Sequence, residues 1–227
     1  MMRLSEVVKN LLIINVVLFF GTLLILGEPD NQVASFLINN PNGENFSDWK
    51  KLILALFMPG SEYFQPYQLV THMFMHADLG HLFFNMFGLF MFGPPLENRM
   101  GGKKFLSFYL IAGFGAMLLH FLVKWAEMNY MGSSALSANI PVLGASGAIF
   151  GLLAGFGTLY PNTQIMLLFP PIPMKAKYFV MIYAGIELFL GLGKFGTGVA
   201  HFAHLGGALF GFLLIRYWQN KGELGRS

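Results

Sequence analysis

The sequence predicts an all-α fold, a polytopic bundle of six transmembrane helices with a long outer loop between the first two. The prediction depends on three observations: 55% of the 227 residues are hydrophobic, only 11% are charged, and the mean hydropathy is +0.58. A soluble domain carries about 25% charged residues, so this chain is too apolar for a soluble enzyme. The absence of Cys excludes thiol chemistry and a cysteine zinc site. No nucleic-acid partner is predicted, because Lys and Arg in a membrane chain usually set topology.

Six apolar stretches approach the roughly 20 residues that a helix needs to cross a bilayer core. They are 10–26, 68–92, 104–123, 142–160, 177–192 and 199–217. The first could be a secretory signal, but the segment 27–30 after it offers no small-x-small cleavage site, so we expect a retained span. Gly, Pro and Asn pairs predict tight turns, at 94–95, 101–102, 161–162 and 170–171.

Charge and hydropathy also predict what lies on each side of the membrane. Ten of the 14 Lys and Arg residues fall on segments that share a side with the N-terminus, so both termini are expected in the cytoplasm. The outer connection 28–67 contains an apolar stretch, 49–58, that is too short to span and is expected to form an interfacial helix. The short architecture favours a prokaryotic cell (inner) membrane.

Polar side chains inside the spans are costly in hydrocarbon, so each one needs a reason. The second, fourth and sixth spans run in the same direction, and each carries such residues towards its outer end. These are His81 and Asn85 in the second span, Ser146 in the fourth and His204 in the sixth. Ser146 is expected about five residues into its span and His204 about six, so these groups converge on one leaflet. That convergence is typical of an active or binding site.

Ser146 has the surroundings that a nucleophile needs. A serine hydroxyl is weak until a neighbouring imidazole takes its proton. Gly144 and Gly147 leave room for a substrate backbone, and N–H groups of the first helical turn are available to an oxyanion. His81 and Asn85 are four residues apart on one helical face, where they could add further donors.

His204 is the candidate base. Gly207 and Gly211 follow it at the spacing that lets two membrane helices approach closely. If the neighbouring helix is the fourth span, Ser146 and His204 come within hydrogen-bond reach. Phe150, one turn beyond Ser146, could then pack against the imidazole.

Four motifs resemble those of the rhomboid intramembrane serine proteases. Residues 144–147 resemble GxSG, 203–211 resemble AHxxGxxxG, 76–85 resemble HxxxxHxxxN, and 97–101 resemble ExRxG. Their order along the spans makes the resemblance specific. It covers nearly the whole chain, so 1–227 is expected to be a single rhomboid-like membrane domain with a six-span core of the bacterial type.

The resemblance implies a role for each matching residue. Ser146 is the nucleophile and His204 the base of a two-member dyad, while His81, Asn85 and the Ser146 N–H form the oxyanion hole. Phe150 takes a position that is often Tyr. The outer loop corresponds to the family's membrane-embedded first loop.

The implied function is an intramembrane serine endopeptidase without a cofactor, acting on transmembrane segments of membrane proteins near the outer leaflet of the lipid bilayer. His201 is the alternative base, because it also follows an Ala, but only His204 has glycines at +3 and +7. His76 is given an ordering role. No acidic third member is predicted, because no motif places Glu187 to orient His204.

Two other hypotheses stay open. A non-catalytic relative that binds membrane clients would lack the dyad, whereas both dyad positions are present here. A histidine metal site could use His72 with His76, or His201 with His204. Zinc catalysis would require an HExxH-like motif, and no Glu adjoins these residues. A zinc transporter would need no such Glu, but it would leave the segment 144–147 unexplained. No metal is therefore predicted.

Overall fold

A computed structural model describes residues 5–27, 52–166, 172–193 and 199–225. Within these ranges the chain is mainly helical, which confirms the predicted fold class. The helices are α1 (Glu6–Leu26), α2 (Gln68–Thr71), α3 (Leu79–Met100), α4 (Gly102–Tyr130), α5 (Ser146–Leu159), α6 (Ala176–Gly193) and α7 (His201–Asn220). Short 3-10 turns lie at His72–Phe74 and Ala135–Asn139, and an antiparallel hairpin pairs β1 (Gln164–Met166) with β2 (Pro173–Lys175).

Four of the described helices are long and apolar enough to cross a membrane by length and composition: α1, α3, α4 and α6. The apolar α5 is shorter, with 14 residues, and α7 has 20. For five of the six predicted spans, the start of the observed helix lies within four residues of the prediction. Long apolar stretches explain this agreement.

The second span was misplaced, because the helix begins only at Leu79. Asp78 explains the late start: its Oδ1 accepts a hydrogen bond from the backbone N–H of His81 at 2.7 Å, as an N-cap side chain does. The prolines at 94–95 lie inside α3 rather than in the predicted turn. Proline lacks an N–H, so Pro94 and Pro95 leave the carbonyls of Phe90 and Met91 without their helical donor, which membrane helices tolerate where neighbouring groups can satisfy them. The Tyr160 hydroxyl donates to the Pro95 carbonyl at 3.3 Å.

The structure describes two of the other three predicted turns, and the chain turns at both. Gly101 adopts a φ of +80°, which glycine tolerates at a helix end, and it separates α3 from α4 as expected. The chain also turns at Pro161 and Asn162. The predicted turn at 170–171 lies outside the described residues.

The backbone forms two compact units. The first unit comprises Met1–Lys9, Gly88–Leu119 and Ser146–Ser227, and the second comprises Asn10–Phe87 and His120–Ala145. Whether the whole chain behaves as one domain stays a prediction.

The second unit buries part of the connection 28–67. Leu52, Ala55, Phe57 and Met75 form a buried apolar cluster. Leu56 pairs with Val142 in an isolated antiparallel bridge with both backbone hydrogen bonds at 2.8 Å. The expected interfacial helix is therefore wrong for the described part of 49–58, since these residues turn inwards and pair their backbone with a distant segment. Residues 49–51 lie outside the described residues.

A carboxylate in the first unit caps the start of α1. Glu97 is buried, and its two oxygens accept hydrogen bonds from the backbone N–H groups of Val7 at 3.0 Å and Val8 at 2.9 Å. The first N–H groups of a helix have no partner within the helix, so this side chain from α3 replaces a local cap.

Candidate active site

Ser146 and His204 meet in the first unit. The Oγ atom of Ser146 lies 2.7 Å from Nε2 of His204, within hydrogen-bond distance. Ser146 is the first residue of α5 and His204 the fourth of α7, so both lie nearer to their helix starts than expected. The fourth span begins late because Val142 is paired in a bridge and Gly144 has a φ of +114°, neither of which a helix allows.

Glycine backbones bring α5 and α7 together. A Cβ atom on Gly207 would collide with the carbonyl oxygen of Gly147, and one on Gly211 would lie 2.6 Å from that of Gly151. The two helices therefore touch through main-chain atoms, one turn apart along each helix. Gly147, which adjoins Ser146, has no room for a side chain.

The aromatic ring of Phe150 fixes the plane of the imidazole. It stacks on His204 with ring centroids 4.2 Å apart and an interplanar angle of 6°. His204 is 9% exposed, so this contact replaces water on one face of the ring.

Glu187 is the residue whose surroundings sequence reasoning missed. It is 9% exposed on α6, and its Oε2 lies 2.6 Å from Nδ1 of His201 and 3.1 Å from Nδ1 of His204. The signal was present: an acidic residue deep in an apolar helix requires a partner, and two histidines stand three residues apart on the next helix. What the sequence lacks is the register of α6 against α7.

His81 and Asn85 lie in the second unit, beside Gly144. A Cβ atom on Gly144 would lie 2.6 Å from Nε2 of His81 and 3.7 Å from Nδ2 of Asn85. The Nδ2 of Asn85 is buried and has no hydrogen-bond partner among the described residues. His76 is also buried, its ring lies edge-on to His81 with centroids 5.1 Å apart, and neither of its ring nitrogens has a described partner.

His72, one of the histidines of the metal hypothesis, contacts a backbone carbonyl group. Nδ1 of His72 lies 2.8 Å from the carbonyl oxygen of Gln68, one helical turn back. In the part of the chain that the structure describes, no three His, Asp or Glu residues are arranged to hold a metal ion.

Several curated proteins that are similar to this chain come from eukaryotes. RHOMBOID-like protein 6, mitochondrial, of Arabidopsis thaliana is 35% identical over 74% of this chain and 46% of its own length. Presenilin-associated rhomboid-like protein, mitochondrial, of Homo sapiens is 34% identical over 66% of this chain and 39% of its own length. Rhomboid protein 1, mitochondrial, of Saccharomyces cerevisiae is 31% identical over 70% and 44%. The chain thus spans less than half the length of these curated relatives.

The expectation of a prokaryotic cell membrane is wrong by this comparison, since these relatives are named as mitochondrial proteins. The expectation came from the short architecture of the chain. Chain length carries no information about the compartment, because the hydrocarbon thickness of different membranes differs by only a few ångströms.

The family comparison covers most of the described fold. Residues 63–220 match the family model described as the Rhomboid domain. The matched range includes α2 to α7 and both residues of the Ser146–His204 pair. Since the match covers more than half of the sequence, the chain belongs to the rhomboid family.

Proposed function

We propose that this rhomboid is an intramembrane serine endopeptidase in which Ser146 is the nucleophile and His204 the general base. Family membership supports the broad class, that of intramembrane proteases. The observation that supports the specific assignment is the 2.7 Å separation between Ser146 Oγ and His204 Nε2. That separation lies in the range needed for a base to take the hydroxyl proton.

The reaction is an acyl transfer in two halves. Ser146 Oγ attacks the peptide carbonyl carbon while its proton passes to His204 Nε2, and the carbonyl electrons move onto the oxygen. As the C–N bond breaks, His204 returns that proton to the leaving amine, and an acyl-enzyme remains. Water then attacks the acyl carbon, again with His204 as base, which releases the carboxylic acid and restores Ser146.

The oxyanion that forms in each half needs hydrogen-bond donors. As the first residue of α5, Ser146 has a backbone N–H without an intrahelical partner. His81 and Asn85 are proposed as further donors from the motif at 76–85. Within their own unit, the unpaired Nδ2 of Asn85 supports this role, because a buried amide donor without a partner is costly unless it serves a ligand.

The proposed substrates are transmembrane segments of membrane proteins, cut near the outer leaflet. A peptide carbonyl is accessible only where a helix unwinds, so segments with small or helix-destabilising residues are favoured. The names of the relatives favour a mitochondrial membrane over a prokaryotic one as the location.

Labelling with a fluorescent fluorophosphonate tests the proposal. Wild-type protein in detergent is expected to label, Ser146→Ala not at all, and His204→Ala more than about 1,000-fold more slowly. Matched controls are Ser107→Ala, which removes an exposed serine of α4, and His120→Ala, which removes another histidine. Both should label as the wild type does.

Cleavage of a transmembrane peptide in liposomes completes the test, with the same variants. Equal labelling of wild type and Ser146→Ala would refute the nucleophile assignment. Folded wild-type protein that neither labels nor cleaves would refute the protease proposal, and equal effects of wild type and Ser146→Ala on a bound client would then favour a non-catalytic role.

A further inference from the structure

Glu187 is a buried acid that the proposed dyad does not use. It lies in α6, a helix long and apolar enough to cross a membrane, and it is 9% exposed. A carboxylate in such a place is stable only when it is paired. Its pairing is unusual, because a single oxygen, Oε2, faces Nδ1 of both His201 and His204.

The ring protons can be assigned from these contacts. For the Ser146 hydroxyl to give its proton to His204, Nε2 of that ring must be the unprotonated nitrogen. The single proton of neutral His204 is then on Nδ1, which lies 3.1 Å from Glu187 Oε2. An acceptor at this position favours the tautomer that the reaction needs.

His201 holds the carboxylate in place. Its Nδ1 lies 2.6 Å from Oε2, which is shorter than the 3.1 Å contact with His204. The longer contact has ion-pair distance, although Nδ1 of His204 has no hydrogen bond of good direction in the described structure. Hydrogen bonds of catalytic groups are often loose at rest and tighten when charge develops.

We propose that Glu187 is a positioning residue that acts through His204, so that the proposed dyad works as a Ser146–His204–Glu187 triad with His201 as the anchor of the carboxylate. The inference rests on the proposed function. It replaces the expected two-member dyad with an arrangement in which the acid comes from a separate helix, α6.

Glu187 would contribute in two ways. It selects the His204 tautomer with Nδ1 protonated, and its negative charge stabilises the imidazolium that forms while Ser146 attacks. The only proton that moves passes from Ser146 Oγ to His204 Nε2 and then to the leaving amine. Glu187 stays ionised throughout and gains no proton.

Within the described part of the first unit, three helices present side chains around His204. Ser146 and Phe150 face the ring from α5, Glu187 faces it from α6, and His201 lies one turn back on α7. Of these, Glu187 supplies the negative charge. Its removal is therefore expected to change the acid limb of the pH–rate profile.

Glu187→Gln tests the proposal, because Gln keeps the shape and loses the charge. The labelling rate and kcat for a liposome peptide should fall about 10- to 100-fold while KM stays within about twofold, since the charge acts on the transition state. The acid limb of the pH–rate profile should move to lower pH, because the negative charge that stabilises the imidazolium is lost. Glu187→Asp keeps the charge at a longer distance and should fall between wild type and Gln in both respects.

Controls separate this role from a structural one. Glu223→Gln removes one exposed carboxylate, with the same change in net charge, and should leave the rate and acid limb unchanged. If Glu187→Gln keeps the wild-type rate and the wild-type acid limb, the inference is overturned. It is also overturned if the rate falls only in parallel with a lower Tm while the acid limb stays in place. If Glu187→Gln does not fold, Glu187→Asp decides by the same criteria. Labelling of Ser146→Ala would instead refute the proposed function.

Discussion

Replacing Gly207 with Ala is expected to separate α5 from α7. The added Cβ would collide with the carbonyl oxygen of Gly147, more severely than at Gly211, where the Cβ would lie 2.6 Å from the carbonyl oxygen of Gly151. Ordinary contact between such atoms begins at about 3.4 Å, so even the milder Gly211→Ala requires the helices to part by about 0.8 Å. Gly207→Ala requires more, because main-chain atoms cannot rotate away.

That separation acts directly on the proposed dyad. Gly207 lies three residues after His204, and Gly147 adjoins Ser146. A shift of about 1 Å would lengthen the 2.7 Å contact between Oγ and Nε2 to roughly 3.7 Å, beyond hydrogen-bond reach. Misplacement on this scale can cost about 100-fold in rate. Overpacking should also lower the free energy of unfolding by about 1 to 3 kcal/mol.

The assay is the rate of fluorophosphonate labelling, measured with the Tm in the same detergent. Gly185→Ala is the matched control, because Gly185 is also helical in the first unit and its Cβ would meet no atom within 4 Å. We expect that control to keep both the labelling rate and the Tm. Gly207→Ala that folds and labels at the wild-type rate would refute the argument that main-chain contact sets the distance between the two residues.

Three further predictions concern stability, each measured by thermal unfolding in detergent. Asp78→Ala removes the N-cap of α3 and should cost about 1 kcal/mol, whereas an equal loss with Asp78→Asn would contradict the capping role. Glu97→Gln weakens two hydrogen bonds to the start of α1, one buried and one part-buried, and should cost about 1 to 3 kcal/mol; an unchanged Tm would disprove this link. Glu223→Gln should cost less, because its bond to Lys104 is exposed. Since that bond lowers the pKa of Glu223, the stabilisation exists above the ordinary pKa of 4.5 and is lost as the pH falls through the lowered value, where wild type and variant should converge.

Apolar length and motif order made much of the fold predictable. The parts that could not be predicted depend on local capping and on pairing between distant residues. The spans now seen as α1, α4 and α6 could be placed because apolar stretches near 20 residues have few alternatives in a membrane chain. The start of α3 could not be placed, because the apolar pattern continues through Asp78. The boundary depends on the hydrogen bond that the Asp78 side chain accepts from the His81 N–H.

The same distinction applies to the candidate site. Ser146 and His204 were identifiable, because a serine between glycines and a histidine before spaced glycines are local patterns. The contact of Glu187 with two histidines was not, because it depends on how α6 turns its faces towards α7. Glu187 and His201 are 14 residues apart in the sequence and lie on different helices, so their pairing leaves no local sequence pattern.

The bond from Glu97 to α1 has a consequence for the order of assembly. Val7 is synthesised 90 residues before the carboxylate that receives its N–H. At a synthesis rate of about 5 to 20 residues per second, the start of α1 waits roughly 5 to 18 seconds for that partner. The amino end of α1 therefore reaches its final hydrogen bonding only after α3 has been made, so α1 is synthesised before α3 but cannot be completed before it.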